Sequence, residues 1–469
     1  MRIIMKDKIN QKLLELPEYL EFVKKKVEDG CGLLSAEELI QKWLNTLGSL
    51  LTEKVVNDCP EPTFENTIKI KNKTFSYNKV SRRKIRDRFG GIYHYSRRVY
   101  TENTDGKTAS NNKQFAPKDD LLGLTELGEF TPSMSYIISA LGGNDSYDES
   151  AKTIKTLLQV DISGTGVQKT TERNGENFVC NPESIVPKEA QSEKCEAFVV
   201  SMDATGSPRI SDKPKEGLGR DSLTNETITK MATVIQIEKF KQPISPRKSF
   251  KEEPPKPDEK YTWGSYADEG FDVIKKSIRK LALLAGRNTA KIKVFKGDGL
   301  PSNWKIWDDY FSDFIPILDP YHAFEHLSSF LRIVNKLRPT DELPKEYYKI
   351  KEDILEGDIY NVIAWMKEKV KNLAKTLQKE AYLEIDYFNN NKDRMHYDEY
   401  LKLGISVGTG NIESACKKVI CKRFKKQGMR WRPKDNVKVL NIRLHLINGT
   451  LRSEFEKLIK KESYQPLVA

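Results

Sequence analysis

"AFVVSMDATG", residues 197–206, is an apolar run that ends on a carboxylate, Asp203, with Gly206 close behind. A segment so short and so rich in β-branched residues reads as a buried strand. A second run of the same kind, "AKIKVFKGDG" (290–299), ends on Asp298 between two glycines. "TKMATVIQIEKF" (229–240) and "DFIPILDPYH" (313–322) supply two further strands, and "EGFDVIKKSIRKLALLAG" (269–286) is an amphipathic helix. Strands alternating with helices predict an α/β layer around a central, partly parallel sheet. The Pro- and charge-rich "KQPISPRKSFKEEPPKPDEKY" (241–261) reads as an exposed loop, and the pattern from Ala323 to Leu401 is helical throughout.

In α/β sheets ligands collect at the carboxyl ends of strands, where side chains leave the core. If Asp203 and Asp298 end adjacent strands, their charges repel and raise each other's pKa unless a divalent cation lies between them. Mg²⁺ suits such oxygen ligands and retains waters for reaction. Each Asp taken alone also reads as a turn former. A third acid stands in "GTGNIESACKKVICKRFKKQGMRW" (408–431), where seven Lys or Arg surround one carboxylate, Glu413. An acid in a first helical turn offsets the helix dipole, and Lys417 lies four residues on to pair with it. The alternative packs that helix on the sheet by Ile412, Ala415, Cys416, Val419 and Ile420, which leaves Glu413 at the margin of the buried face, within reach of the strand ends. Three acids holding two Mg²⁺ can activate a water or 3′-hydroxyl and stabilise the leaving oxygen of an in-line displacement at phosphorus. The surrounding cations would then hold a phosphate backbone.

Upstream, residues 1 to 60 carry apolar positions at helical spacing, among them Leu13, Leu20, Val23, Leu39, Trp43 and Leu47. "NTIKIKNKTFSYNKVSRRKIRDRFGGIYHYSRRVY" (66–100) has Gly-Gly between two strand-like runs, which predicts a β-hairpin. Its cations, including Arg82, Arg83, Lys84 and Arg86, form either a solvated face or a phosphate-contacting one. Residues 131–175 read as three short helices broken at Gly142-Gly143 and at "VDISGTG". The last two resemble a helix-turn-helix, with Val167, Gln168, Lys169, Thr170 and Arg173 available to a groove; packing without DNA is the other reading. The polar stretch 181–197 looks like a linker between domains.

Lys and Arg outnumber Asp and Glu by 79 to 67, a net charge of +12 that fits a polyanionic partner without identifying one. No apolar run approaches a membrane span and the first residues lack a signal peptide's apolar stretch, so a cytoplasmic, nucleoid-associated protein is expected. The six cysteines form no CxxC pair. Reduced thiols and no structural zinc are expected.

"VSMDATG", "KGDGLPSNW", "ILDPYHAFEHL" and the 408–431 stretch, in this order, resemble bacterial insertion-sequence DDE transposases of the ISKra type, related to Mutator-like elements. The resemblance runs from about residue 85 to 455. It implies an RNase H-like catalytic domain (198–320) with a helical insertion (321–402) and C-terminal catalytic helices (403–469). A helical and basic hairpin region (1–120) and a helix-turn-helix-like region (121–180) would precede them. Asp203, Asp298 and Glu413 fall where the family places its catalytic, Mg²⁺-binding triad, with Mn²⁺ as a substitute metal. Asp319 and His322 match a D-x-x-H signature that supports the site or contacts DNA, a structural Asp–His hydrogen bond being the alternative. Trp304, Lys417, Arg423, Arg430 and Trp431 are further supporting or DNA-contacting candidates, with core packing the competing reading for both tryptophans. His322 and His326, four apart, are also spaced to share a metal. The family cuts element ends at terminal repeats and joins them to target DNA, acting as a dimer or larger oligomer. A transposase-derived DNA-binding protein and an RNase H-like nuclease share these features. One departure concerns the stretch after the hairpin, "RRVYTENTDGKTASNNKQF", which lacks the paired cysteines many relatives carry there.

Overall fold

The computed structural model describes residues 2–62, 66–70, 73–103, 113–210, 228–266, 269–426 and 429–458. Residues 104–112 of the cysteine-free stretch lie outside the described residues. The chain forms two compact units, one of Met1–Val179 with Asn441–Ala469, the other of Cys180–Leu440.

In the first unit, helices α1 (Arg2–Leu14), α2 (Leu16–Lys26) and α3 (Gly32–Asp58) precede a four-stranded antiparallel sheet. Its strands are β1 (Thr67–Ile70), β2 (Lys73–Arg86), β3 (Ile92–Glu102) and β4 (Gln114–Phe115). β2 and β3 are the predicted hairpin, paired from Arg86↔Ile92 to Phe75↔Glu102. Its turn hangs on Asp87, whose Oδ1 accepts from Phe89 N and Gly91 N at 2.9 Å each, while Gly90 takes a φ of 85°. The lone acid among the hairpin's cations is therefore a turn residue.

After α4 (Pro117–Leu121) come α5 (Pro132–Asn144), α6 (Tyr147–Leu158) and α7 (Gly164–Asn177). Each of the three starts on a hydroxyl cap, Thr131, Ser146 or Ser163. They close on Met134, Ile138, Ala151, Ile154, Val160 and Val167. α5 runs through Gly142-Gly143 instead of breaking there. A Cβ at Gly142 would strike Thr171, and one at Gly143 would strike Ile442, so these glycines permit close packing within a helix.

In the second unit the stretch expected to be a linker is packed. It holds α8 (Pro182–Ile185) and a 3₁₀ turn, Lys188–Gln191; Trp263 Nε1 donates to Cys180 O at 3.0 Å and Lys239 Nζ to Ala190 O at 3.2 Å. A five-stranded mixed sheet follows, built from β5 (Cys195–Pro208), β6 (Thr229–Phe240), β7 (Glu259–Tyr266), β8 (Ala290–Gly297) and β9 (Ile315–Leu318). The order is β7-β6-β5-β8-β9, with β5, β8 and β9 parallel and β6 antiparallel to both neighbours. β5 is central, and Ala197, Phe198, Val199 and Val200 are all fully buried. Burial on both faces explains why its apolar run does not alternate. β7 corrects the loop reading, which had absorbed its first residues.

Between β7 and β8, α9 (Phe271–Leu284) buries Ile274, Ile278, Leu281 and Ala282 on one stripe; α10 (Pro301–Tyr310) links β8 to β9. The helical segment holds α11 (Pro320–Val334), α12 (Glu346–Leu355), α13 (Ile359–Val370), α14 (Lys375–Asn391) and α15 (Tyr397–Lys402). Then α16 (Gly410–Cys416) continues through a π turn, Lys417–Cys421, into α17 (Lys422–Phe424). α18 (Pro433–Ile447) contains the second boundary between units, and α19 (Leu451–Lys457) places Leu451 and Phe455 in one core with Tyr93 and Tyr95. Residues from Asn441 onward thus belong with the N-terminal unit and not with the sheet-bearing one. No helix of the described residues is long and apolar enough to cross a membrane.

Candidate active site

The parallel pairing of β5 with β8 ends at Ser201↔Lys296, and Asp203 and Asp298 each stand two residues further along. β8 pairs with β9 up to Gly297↔Leu318, and Asp319 follows next on the chain, its N donating to Gly297 O at 3.0 Å. Three carboxylates therefore stand in a row across three adjacent parallel strands, toward the edge where open sheets bind ligands. Asp298 and Asp319 directly follow β8 and β9, but Asp203 corrects the strand-end expectation: it lies inside β5, paired with Val234, and the strand runs on to Pro208 beside β6. Asp203 and Asp298 are half-buried, and Asp319 is fully buried. Asp298 Oδ1 accepts from Leu300 N (3.1 Å) and Asn303 Nδ2 (2.6 Å). Burial nevertheless pushes its pKa up, with the charge of Asp203 adding to the effect. Asp319 is also pushed up by burial, against opposing hydrogen bonds from Thr409.

The helix carrying Glu413 reaches this row as expected. Ile412, Ala415, Cys416, Val419 and Ile420 are all buried, and the Cys416 thiol donates to Asp203; burial and that carboxylate push the thiol's pKa up. Thr409, which precedes α16, ties two of the acids together. Its N and Oγ1 donate to Asp319 Oδ1 and Oδ2 at 3.2 and 2.8 Å, and Oγ1 lies 3.2 Å from Glu413 Oε1. The fully buried Lys296 donates from β8 to the carbonyls of Ser406 and Gly408, 3.2 Å each, and Asn411 Nδ2 donates to Glu238 Oε1 on β6 at 2.8 Å. The entry to α16 is pinned to three strands by polar contacts. Thr409, Lys296 and Glu238 went unremarked in the sequence, because a lone Thr, Lys or Glu carries no spacing signal.

Glu413 thus pairs with Thr409, while Lys417 is exposed. Among the described residues no three His, Cys, Asp or Glu side chains converge closely enough to hold one cation. The donor set is nonetheless all oxygen, and the half-buried Asp298 is raised by desolvation and further by the neighbouring charge of Asp203, a repulsion that a hard divalent ion removes. In donor chemistry, though not in this side-chain arrangement, the residues suit a hard divalent ion such as Mg²⁺.

His322 lies with Nε2 3.9 Å from Asp319 Oδ2 and Nδ1 3.2 Å from Glu325 Oε2. His326 bonds Glu384 at 2.6 Å and stacks on Tyr387 with ring centroids 3.5 Å apart, so the two histidines have separate partners. Trp304 is buried against Phe295 with Arg394 over its ring at 4.1 Å. Arg423 is buried over the Trp431 ring (4.7 Å), and Trp431 N and O bond to Pro208 O (3.3 Å) and Ile210 N (3.0 Å) beyond the end of β5. All three side chains pack inside the fold, as the packing reading of the two tryptophans had it, and Arg430 is half-buried. Lys425, from the same basic stretch, is exposed and donates to Thr205 Oγ1 at 2.6 Å, two residues past Asp203.

In the N-terminal unit, Lys169 and Arg173 are exposed on α7, whereas Val167 and Thr170 face the core. Arg82 is exposed on β2. Lys84 and Arg86 are half-buried and reach Glu129 at 3.7 and 3.3 Å. Arg83 is committed internally, to Asp119 and to the carbonyls of Leu124, Leu127 and Gly128 at 2.5–2.9 Å. Its assignment to DNA is corrected: that guanidinium holds the fold.

No family model matches the chain. No curated protein matches it in sequence. Among solved structures, a chain of the Drosophila P element transposase strand transfer complex superposes with a TM-score of 0.33 at 9% identity, covering 74% of this chain and 95% of that one.

Proposed function

We propose that the protein is a DDE-type transposase that cleaves the ends of a DNA element and joins them to target DNA. The observation that carries this reading is the placement of Asp203 and Asp298 at one level, two residues past the last parallel pair of β5 and β8, with the helix of Glu413 packed beside Asp203. The mixed sheet followed by a helical segment supports an RNase H-like catalytic domain interrupted between Asp298 and Glu413. Asp203, Asp298 and Glu413 would hold Mg²⁺ or Mn²⁺, two ions in all, which supply Lewis-acid activation of a water or 3′-hydroxyl and charge neutralisation at phosphorus. Asp319 and Thr409 orient Glu413, and exposed cations such as Lys417 and Lys425 hold phosphates on either side. Lys169, Arg173 and Arg82 are the cations of the N-terminal unit with access to DNA. Action on paired ends calls for a homodimer or larger oligomer.

The test is incubation with Mg²⁺, DNA carrying the sequences that flank the gene, and a target plasmid, beside the Glu413→Gln variant. End cleavage and joining by the wild type alone supports the transposase. Hydrolysis without joining points to a nuclease, and binding without chemistry by either protein points to a DNA-binding descendant.

A further inference from the structure

Three tyrosines of the helical segment reach the sheet near the row of acids. Tyr397 and Tyr400 are satisfied there, donating to Leu318 O at 3.0 Å and Pro316 O at 2.9 Å on β9. Tyr387 differs. Its hydroxyl is buried and has no hydrogen-bond partner. The ring is fixed from both sides. It stacks on His326, which is itself held by Glu384, and it lies so close over Gly299 that a Cβ there would collide with the ring and come 2.8 Å from the hydroxyl oxygen. Gly299 is the residue after Asp298, and the charges of Asp298 and Asp319 both bear on the phenol. A buried hydroxyl without a partner costs stability, so its retention in a rigid mount beside two carboxylates calls for a partner that arrives later.

Resting on the metal-dependent reading above, we propose that Tyr387 is a positioning residue for the cation site: its hydroxyl is the donor that receives Asp298, or a water on the cation, once the carboxylate turns from Asn303 toward a divalent ion. Asp298 Oδ1 is held by Leu300 N and Asn303 Nδ2, and no three acids of the described residues converge on one point. Turning it toward an ion gives up those bonds, and the waiting hydroxyl replaces one of them. Outer-shell donors of this kind orient the ligand and tune its affinity for the metal.

The experiment compares wild type with Tyr387→Phe, which keeps the ring, the stack on His326 and the contact with Gly299. Mn²⁺ affinity is measured by calorimetry on the full chain without DNA, and thermal melts are recorded without and with Mn²⁺. The expected result is Mn²⁺ binding weakened about tenfold or more, with a metal-free Tm equal to or above that of wild type because an unsatisfied hydroxyl has been removed. Equal Mn²⁺ affinity in the two proteins overturns the assignment while leaving the metal site in place. A metal-free Tm that falls in Tyr387→Phe also overturns it, since the hydroxyl then has a structural partner. No Mn²⁺ binding by wild type removes the metal-dependent reading itself, and the role of Tyr387 falls with it.

Discussion

Asp203 and Asp298 stand at the same level on neighbouring parallel strands, each two residues beyond the paired residues Ser201 and Lys296. Two carboxylates placed this way repel, and the charge of Asp203 adds to burial, the larger cause, in holding the pKa of Asp298 up. An arrangement that costs stability in the free protein makes sense as a place for a cation, and the predictions below begin from that conflict.

Replacing Asp203 or Asp298 by Asn, or Glu413 by Gln, keeps size and removes the charge. Each substitution is expected to lower end cleavage by about three orders of magnitude, the scale on which single members of a catalytic unit act. Gel-shift affinity for the same DNA should stay within about threefold. Full cleavage by any one variant would take that residue out of the set.

Asp298→Asn should also stabilise the metal-free protein at neutral pH. The folded pKa of this carboxyl lies above its unfolded value, so its contribution to stability is complete below the unfolded pKa and is lost as pH rises through the folded one. Above that window the charged Asp298 is a liability that the amide lacks. Melting curves should show a higher Tm for the variant at pH 7 and a difference that vanishes in acid. Added Mg²⁺ should raise the Tm of wild type and not that of the variant.

Thr409→Val removes the hydroxyl between Asp319 and Glu413 but keeps the backbone bond to Asp319. Asp319 has no solvent to turn to. A loss of about 1.5–3 kcal/mol is expected in urea unfolding, as for a hydrogen bond to a buried charge. Cleavage should fall with it, because α16 loses its tie to the end of β9. An unchanged unfolding midpoint would show that the hydroxyl carries no load.

The N-terminal cations separate into two kinds. Lys169→Ala, Arg173→Ala and Arg82→Ala should each weaken DNA binding about equally across sequences and shallow its salt dependence by about one unit of slope. Arg83→Ala should instead destabilise the fold by about 1–3 kcal/mol, since it leaves the carbonyls of Leu124, Leu127 and Gly128 without their donor while Arg97 and Tyr95 still hold Asp119. A stable Arg83→Ala protein with impaired DNA binding would reverse that division.

Much of this architecture was legible along the chain. The apolar runs ending at Asp203 and Asp298, the stripe Ile412–Ile420 and the hairpin around Gly90 and Gly91 are local patterns, set by periodicity and turn chemistry that a few residues suffice to express. β7 was hidden because "EKYTWGSY" adjoins a Pro-rich loop and mixes polar with aromatic residues. The stretch 181–197 was read as a linker because its composition is polar, although Trp263 and Lys239 from distant strands satisfy its carbonyls.

The chain's own order of residues determined which segments become strands, which become helices, and that each of two buried apolar runs ends on an acid. Only the tertiary structure decided that those strands are neighbours in register. It also decided that Arg83, Arg423 and Trp431 are spent inside the fold, that Thr409 bridges Asp319 and Glu413, and that Lys296 holds the backbone leading into α16. The reason is physical: strand identity follows from side chains two or four residues apart, whereas register, burial of a cation and the partner of a hydroxyl depend on groups 90 to 220 residues away, and those distances leave no pattern in the sequence.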